Sequence, residues 1–274
     1  MANSTAPETG KPPQGPSRAF PGMPYLNTIT FADIGTAFAQ GISDFRKAPQ
    51  YGLFFGGIFA VAGLIIIASV LWFDMPWMIY PFAIGFPLVG PFAAVGLYEV
   101  SRRLEAGERL DWSGILSVIW RQRTREFSWM AFVSLFIFWV WIYQVRLLIA
   151  IILGFKASTS LNRFFEVLVS TQEGALFLIV GHIVGAILAL VLYSVTVVAL
   201  PFLLERNTDF VTALATSVRA VFTSPVPMLG FGICVTLLII VASLPFFIGF
   251  LVVLPVLGHA TWHLYRKIVT PMAV

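Results

Sequence analysis

The chain has 274 residues, 58% apolar and 11% charged, with a net charge of +4 and a mean hydropathy of +0.89. A soluble domain carries about 25% charged residues, so this composition excludes an ordinary soluble protein and points to a polytopic membrane protein. The one cysteine, Cys234, excludes an internal disulfide framework and a paired-cysteine metal motif, and the bases lie beside apolar runs instead of forming a nucleic-acid patch.

Residues 1–27 are rich in Pro, Gly, Ser and Thr, lack the apolar core of a signal peptide and read as a disordered cytoplasmic tail. Residues 28–268 read as a single integral membrane domain and 269–274 as a second cytoplasmic tail. The membrane domain opens on "FADIGTAFAQGISDFRKAP", where Phe31, Ile34, Phe38, Ile42 and Phe45 recur at helical spacing. Asp33, Gln40 and Asp44 lie on the other faces. Thr30 is placed to cap this helix and Pro49 follows its end. The segment is too short and polar to span, so it is expected on the cytoplasmic membrane surface.

A membrane helix needs about 20 mostly apolar residues, and six runs meet that need. The first two cover about 52–73 and 79–98. The second ends in "FPLVGPFAAVGLYEVSRRLE", with Glu99 just ahead of the expected exit. After it, "DWSGILSVIWRQRTREF" reads as a surface helix capped by Asp111, with Trp112, Ile115 and Ile119 on one face. The third span covers about 129–155. Its Arg146 lies about 25 Å along the helix from Trp129, near the outer interface, where it snorkels to water; the competing reading is a cation lining a path. On the outside, "STSLNRFFEVLVSTQEG" reads as an amphipathic helix with Leu161, Phe164, Phe165 and Leu168 inward.

The fourth span, about 174–204, contains "GALFLIVGHIVGAILA". Gly181, Gly185 and Ala189 make a small-residue face that lets another helix come close. His182 stands beside it and reads as a hydrogen bond between helices in preference to a metal or haem ligand. A fourth surface helix, "TDFVTALATSVRAVFTSP", carries Phe210, Leu214, Val218 and Val221. The last two spans lie within 227–265, divided near Ser243–Pro245.

Lys and Arg set the orientation. With the N-terminus inside, fourteen of the seventeen fall on inner segments, Lys156 and Arg163 on outer ones, and Arg146 within a span. Both termini are therefore expected in the cytoplasm. Trp72, Trp77 and Tyr80 would mark the outer interface, and Trp120, Trp129, Trp262 and Tyr265 the inner one.

The expected fold is all-α: six transmembrane helices, about four amphipathic interfacial helices and a parallel internal repeat, about 31–105 and 208–267. Asp33 aligns with Asp209, Ala37 with Ala213 and Pro49 with Pro225. In a second register Pro81 aligns with Pro245, Gly85 with Gly249, Phe86 with Phe250 and Pro91 with Pro255. The basic pairs Arg102–Arg103 and Arg266–Lys267 then coincide as anchors, and Glu99 coincides with His263. His259 and His263 share one helix face at i and i+4. Glu99, His259 and His263 could thus form a polar network, a proton or ion site, or a metal site.

No catalytic constellation is present: there is no HExxH, GxSxG or phosphate loop. On "GLFFGGIF", "GFPLVGPFAAVGLYEVSRRLEAGE" and "LPVLGHATWHLYRK", the chain resembles a family of predicted integral membrane proteins, mainly from alphaproteobacteria, defined as a domain of unknown function. The resemblance covers most of 28–268 and implies a bacterial inner-membrane protein without implying an activity. More loosely, "ALPFLLERNTDFVTALATSVRAVF" resembles the membrane region of some bacterial glycerophosphodiesterase-associated proteins, without their catalytic domain.

The expectation is a non-enzymatic protein with no cofactor, in contact with the lipid bilayer and with other membrane proteins as an accessory or assembly component. The alternative is a small transporter with a Glu/His site near the cytoplasmic interface. A haem or metal redox protein is the third reading.

Overall fold

A computed structural model describes residues 24–72, 79–121, 125–154, 161–206 and 208–269; side chains at 70, 79–88, 121, 125, 161–163 and 165 are outside the description. The readings made for residues 1–23, Trp77, Tyr80, Pro81, Gly85, Phe86, Lys156, Leu161, Arg163 and Phe165 therefore fall outside it. The regular elements of the described residues are helices: α1 (Phe31–Lys47), α2 (Pro49–Leu71), α3 (Ile79–Ala106), α4 (Trp112–Arg121), α5 (Arg125–Leu148) running into a π turn (Ile149–Leu153), α6 (Leu161–Ser170), α7 (Gln172–Thr196), α8 (Ala199–Glu205), α9 (Phe210–Thr223), α10 (Pro225–Ser243) and α11 (Phe250–Ile268).

Among the described residues, four stretches are long and apolar enough to cross a membrane: Pro49–Ser69, Glu126–Leu153, Gln172–Glu205 and Pro225–Ser243. These coincide with the first, third, fourth and fifth expected spans. The helices α3 and α11 stand where the second and sixth were expected. The second half of α11, "HATWHLYRK", is occupied by polar, aromatic and basic side chains, which makes it less apolar than the other four.

Local chemistry accounts for the helix boundaries. Thr30 accepts a hydrogen bond from the Asp33 amide while Asp33 accepts one from the Thr30 amide, a reciprocal capping box at the start of α1. Asp111 accepts from the Gly114 amide at 2.6 Å ahead of α4, and Asp209 from the Thr212 amide at 2.9 Å ahead of α9. α3 ends at Gly107, whose φ of +67° is a left-handed conformation that glycine adopts without strain. The α7–α8 break at Val197–Val198 lies just ahead of Pro201, which has no N–H to return to the preceding turn.

At the centre of the fold is α11, with α1 lying along it, α2 against its other side and α3 crossing it. Trp262, Tyr265, Phe231, Phe202 and Tyr98 bury around this axis. The buried face of α1 is Ile34, Ala37, Gly41 and Asp44. Of the expected apolar stripe, Ile34 is buried, Phe38 and Phe45 are half-buried, and Phe31 and Ile42 are exposed. Small residues face inward because α11 comes so close that a Cβ on Gly41 would sit 2.8 Å from the Ala260 amide nitrogen.

Leu26 is buried and bridges Val269, and the Asn27 amide donates to the Ile268 carbonyl at 2.8 Å. An extended strap at 26–27 thus caps the end of α11. Trp262 and Tyr265 are fully buried instead of marking an interface: the Trp262 indole donates to Glu105 at 3.1 Å and the Tyr265 hydroxyl to Glu205. Trp72, Trp120 and Trp129 are exposed.

Candidate functional site: a buried polar junction of α1, α3 and α11

The close crossing at Gly41 and Ala260 places the next turn of each helix in register. Asp44 follows Gly41 by one turn, His263 follows Ala260 by one turn, and His263 Nε2 donates to Asp44 Oδ2 at 2.7 Å. On the α3 side, Gly258 packs against Leu97. The adjacent His259 Nδ1 is 2.7 Å from Ser101 Oγ, one turn beyond Leu97. Asp44, Ser101 and His259 are buried, and His263 is nearly so.

His263, Asp44, Ser101 and His259 therefore form one polar string linking three helices. Burial pushes the Asp44 carboxyl up, but the His263 hydrogen bond and charge, the nearby Ser101 hydroxyl and the His259 ring outweigh it, holding the group below its ordinary value. His259 Nε2 is buried with no hydrogen-bond partner among the described residues. Such an orphaned atom is uncommon, because leaving a buried polar atom unpaired is costly.

Glu99 is not part of this string. Its carboxylate is buried and accepts from Arg102 Nε at 2.8 Å and from Arg103 Nε at 2.7 Å. Arg102 also binds Glu108, and Arg103 binds Asp111, the cap of α4. Glu99 thus holds both arginines over the α3–α4 turn. The three-ligand arrangement of Glu99, His259 and His263 is not formed, since each has a different partner. Among the described residues, no set of three or more His, Cys, Asp or Glu is placed to hold a metal ion.

The other basic anchors are also paired. Arg266 binds Glu105 at 3.2 Å and Glu205 more closely, and Lys267 binds Asp33 of the α1 capping box at 3.2 Å. Two of the bases counted as topological signals, Arg266 and Lys267, thus tie α11 to α3, α8 and α1 by ion pairs.

The remaining candidates lie apart, on α5 and α7. His182 is exposed, and its Nδ1–H donates to the Leu178 carbonyl of its own helix at 2.6 Å, so the expected interhelical bond is not made among the described residues. Gly181 meets nothing within 4 Å, and a Cβ on Gly185 would have only the Trp141 indole nitrogen nearby, at 3.8 Å. Ala189 and Arg146 are exposed. Among the described residues, the small-residue face therefore packs no helix closely.

Residues 79–205 match the family model DUF2189, described as a predicted integral membrane protein with a domain of unknown function. This segment is similar to the DUF2189 family. The DUF2189 segment runs from α3 to α8 and contains Glu99, Ser101, the arginine pair and the open face of α7. Asp44, His259 and His263 lie outside it, so the polar string joins the DUF2189 segment to the helices that flank it. No curated protein and no solved structure matches the chain.

The sequence reading missed Asp44 and Ser101. Asp44 was assigned to the polar side of its helix by apolar periodicity. The signal that could have found it was the small-residue spacing Ala37–Gly41–Asp44, which marks a face for close helix approach.

Proposed function

We propose that this chain is a non-enzymatic, multi-pass protein of the bacterial inner membrane that binds other membrane proteins as an accessory or assembly component. The observation that carries this reading is α7. Its most apolar stretch has none of its residues buried in the chain, and its Gly181–Gly185–Ala189 face is open. In lipid, helix association depends on close van der Waals packing and hydrogen bonds, for which small residues beside a polar group are suited. His182 supplies that polar group. Its Nδ1 carries the proton donated to Leu178, so in the neutral ring Nε2 is an acceptor for a donor on the partner helix.

In this reading the protein has six spans and cytoplasmic termini, supported by the distribution of Lys and Arg and by ion-paired bases at the inner ends of α3 and α11. The parallel repeat is supported by two matching joints. Ala48 between α1 and α2 has φ −135° and ψ 53°, and Ser224 between α9 and α10 has φ −137° and ψ 65°, each followed by a proline. The buried positions Ala37, Gly41 and Asp44 align with buried Ala213, Ser217 and Ala220.

The test is affinity purification from native membranes in mild detergent, comparing wild type with Gly185→Leu. A partner that co-purifies with wild type and is lost with the variant supports the reading; a partnerless wild type opposes it. The second reading, a small transporter, is favoured by one observation: a buried acid–hydroxyl–imidazole string with an unpartnered ring nitrogen. Loss of solute uptake in Asp44→Asn at normal membrane levels would favour it.

A further inference from the structure

We infer that the turn between α10 and α11 resides in the outer-leaflet hydrocarbon, so that the tip of this last hairpin meets lipid acyl chains instead of water. The run from Leu237 to Gly258 contains one polar side chain, Ser243, and its hydroxyl donates to the Ile240 carbonyl of its own helix at 2.7 Å. The turn itself, residues 244–249, has none. It exposes Leu244, Phe246 and Ile248, at 73%, 57% and 51%. A loop in water ordinarily carries polar side chains and leaves its amides to solvent.

Three of the five N–H groups in residues 244–249, and that of Phe250 beyond them, are bonded inward. The Leu244 amide donates to Val241 at 3.3 Å, Phe247 to Ser243 at 3.1 Å, Ile248 to Pro245 at 3.0 Å and Phe250 to Phe247 at 3.0 Å, while Pro245 has no N–H. Irregular backbone at membrane depth is tolerated only where such groups find partners. The compact turn requires Phe246 and Phe247 to adopt φ of 53° and 63°, a region bulky residues rarely enter. Phe247 is fixed there by α2: a Cβ on Gly63 would lie 2.3 Å from its ring. The same geometry leaves Phe246 exposed at the tip.

Helix length places the tip in depth. α10 starts at Pro225, directly after the surface helix α9, and has 19 residues; at about 1.5 Å per residue it rises about 28 Å against a hydrocarbon core of about 30 Å. From Phe250 to Arg266, whose ion pairs mark the inner end, α11 covers about 24 Å. Neither leg lifts the turn clear of the hydrocarbon, and any tilt lowers it further. The hairpin still returns to the side it left, so the orientation of the chain is unchanged, and α10 and α11 form a re-entrant pair in place of the fifth and sixth full crossings.

The test places a nitroxide at Leu244→Cys and, separately, at Ile248→Cys, both in a Cys234→Ser background and in vesicles of phosphatidylethanolamine and phosphatidylglycerol. Gln172→Cys, exposed at the start of α7, is the aqueous reference. Collision rates are measured with oxygen, which concentrates in hydrocarbon, and with a water-soluble nickel chelate. Both tip positions should collide readily with oxygen and several-fold less with the chelate than the reference does. Chelate access equal to that of Gln172→Cys would place the tip in water and overturn the inference. Low access to both reagents would place it against protein and also overturn it.

Discussion

Asp44 on α1 and His263 on α11, far apart in sequence, meet through a 2.7 Å hydrogen bond at the crossing where Gly41 lies against the Ala260 backbone. This contact fixes an amphipathic surface helix to the central helix of the fold. Removing either side chain leaves a nearly buried polar group alone. Asp44→Ala should destabilise the protein by about 2–3 kcal/mol, the range for hydrogen bonds to charged groups. Thermal unfolding in mild detergent measures this, and an unchanged midpoint would contradict it.

The same contact sets an acid dependence. The folded-state pKa of Asp44 is depressed, so its contribution is full above the ordinary carboxylate value of 3.8 and is lost as pH falls through the folded pKa. The Asp33 and Asp209 caps are depressed too, each held down by hydrogen bonds from Thr30 and Thr212 respectively. Stability should therefore fall on the acid side below about that ordinary value. Asp44→Asn should flatten the fall without abolishing it, as seen in unfolding midpoints across an acid pH series.

Two glycines of α1 predict opposite outcomes for one substitution. Gly35→Ala places a methyl where nothing lies within 4 Å and should be neutral or stabilise by up to about 1 kcal/mol through helix propensity. Gly41→Ala drives a methyl into the Ala260 and Val256 backbone and should cost about 1–3 kcal/mol. Comparing the two variants by thermal unfolding checks the direction of packing, since a reversed order would mean that α1 turns another face to α11.

How far the fold was legible follows from the type of signal. Capping chemistry was readable from local sequence: Thr30, Asp111 and Asp209 stand where short-range hydrogen bonds require them. The packing face of α1 was not. The apolar stripe of α1 suggested a single apolar face on the membrane surface, but its residues divide: Ile34 is buried and Phe38 packs on Phe231, while Phe31 and Ile42 are exposed. The polar junction was half legible. His259 and His263 share a face by spacing, but their partners Ser101 and Asp44 come from distant elements that only tertiary contact brings together. Glu99 was noticed as an acid ahead of the exit; its pairing with Arg102 and Arg103 at i+3 and i+4 was available from helical spacing alone.

That pairing carries its own expectation. Glu99→Gln keeps the shape but removes the charge shared by the two arginines, which also bind Glu108 and Asp111. The α3–α4 turn should loosen, with a cost of about 1–3 kcal/mol. Amide hydrogen exchange across residues 104–116 should accelerate relative to α9, and unaltered exchange there would argue against the bracing role.

The proposal that α7 receives another membrane protein is tested most directly by a photo-crosslinking amino acid at Ala189, with Ile179, also exposed on α7, as the comparison position. Irradiation of native membranes should give a discrete protein adduct from position 189 that is absent from position 179 and lost in the Gly185→Leu background. Lipid adducts alone at both positions would contradict the account.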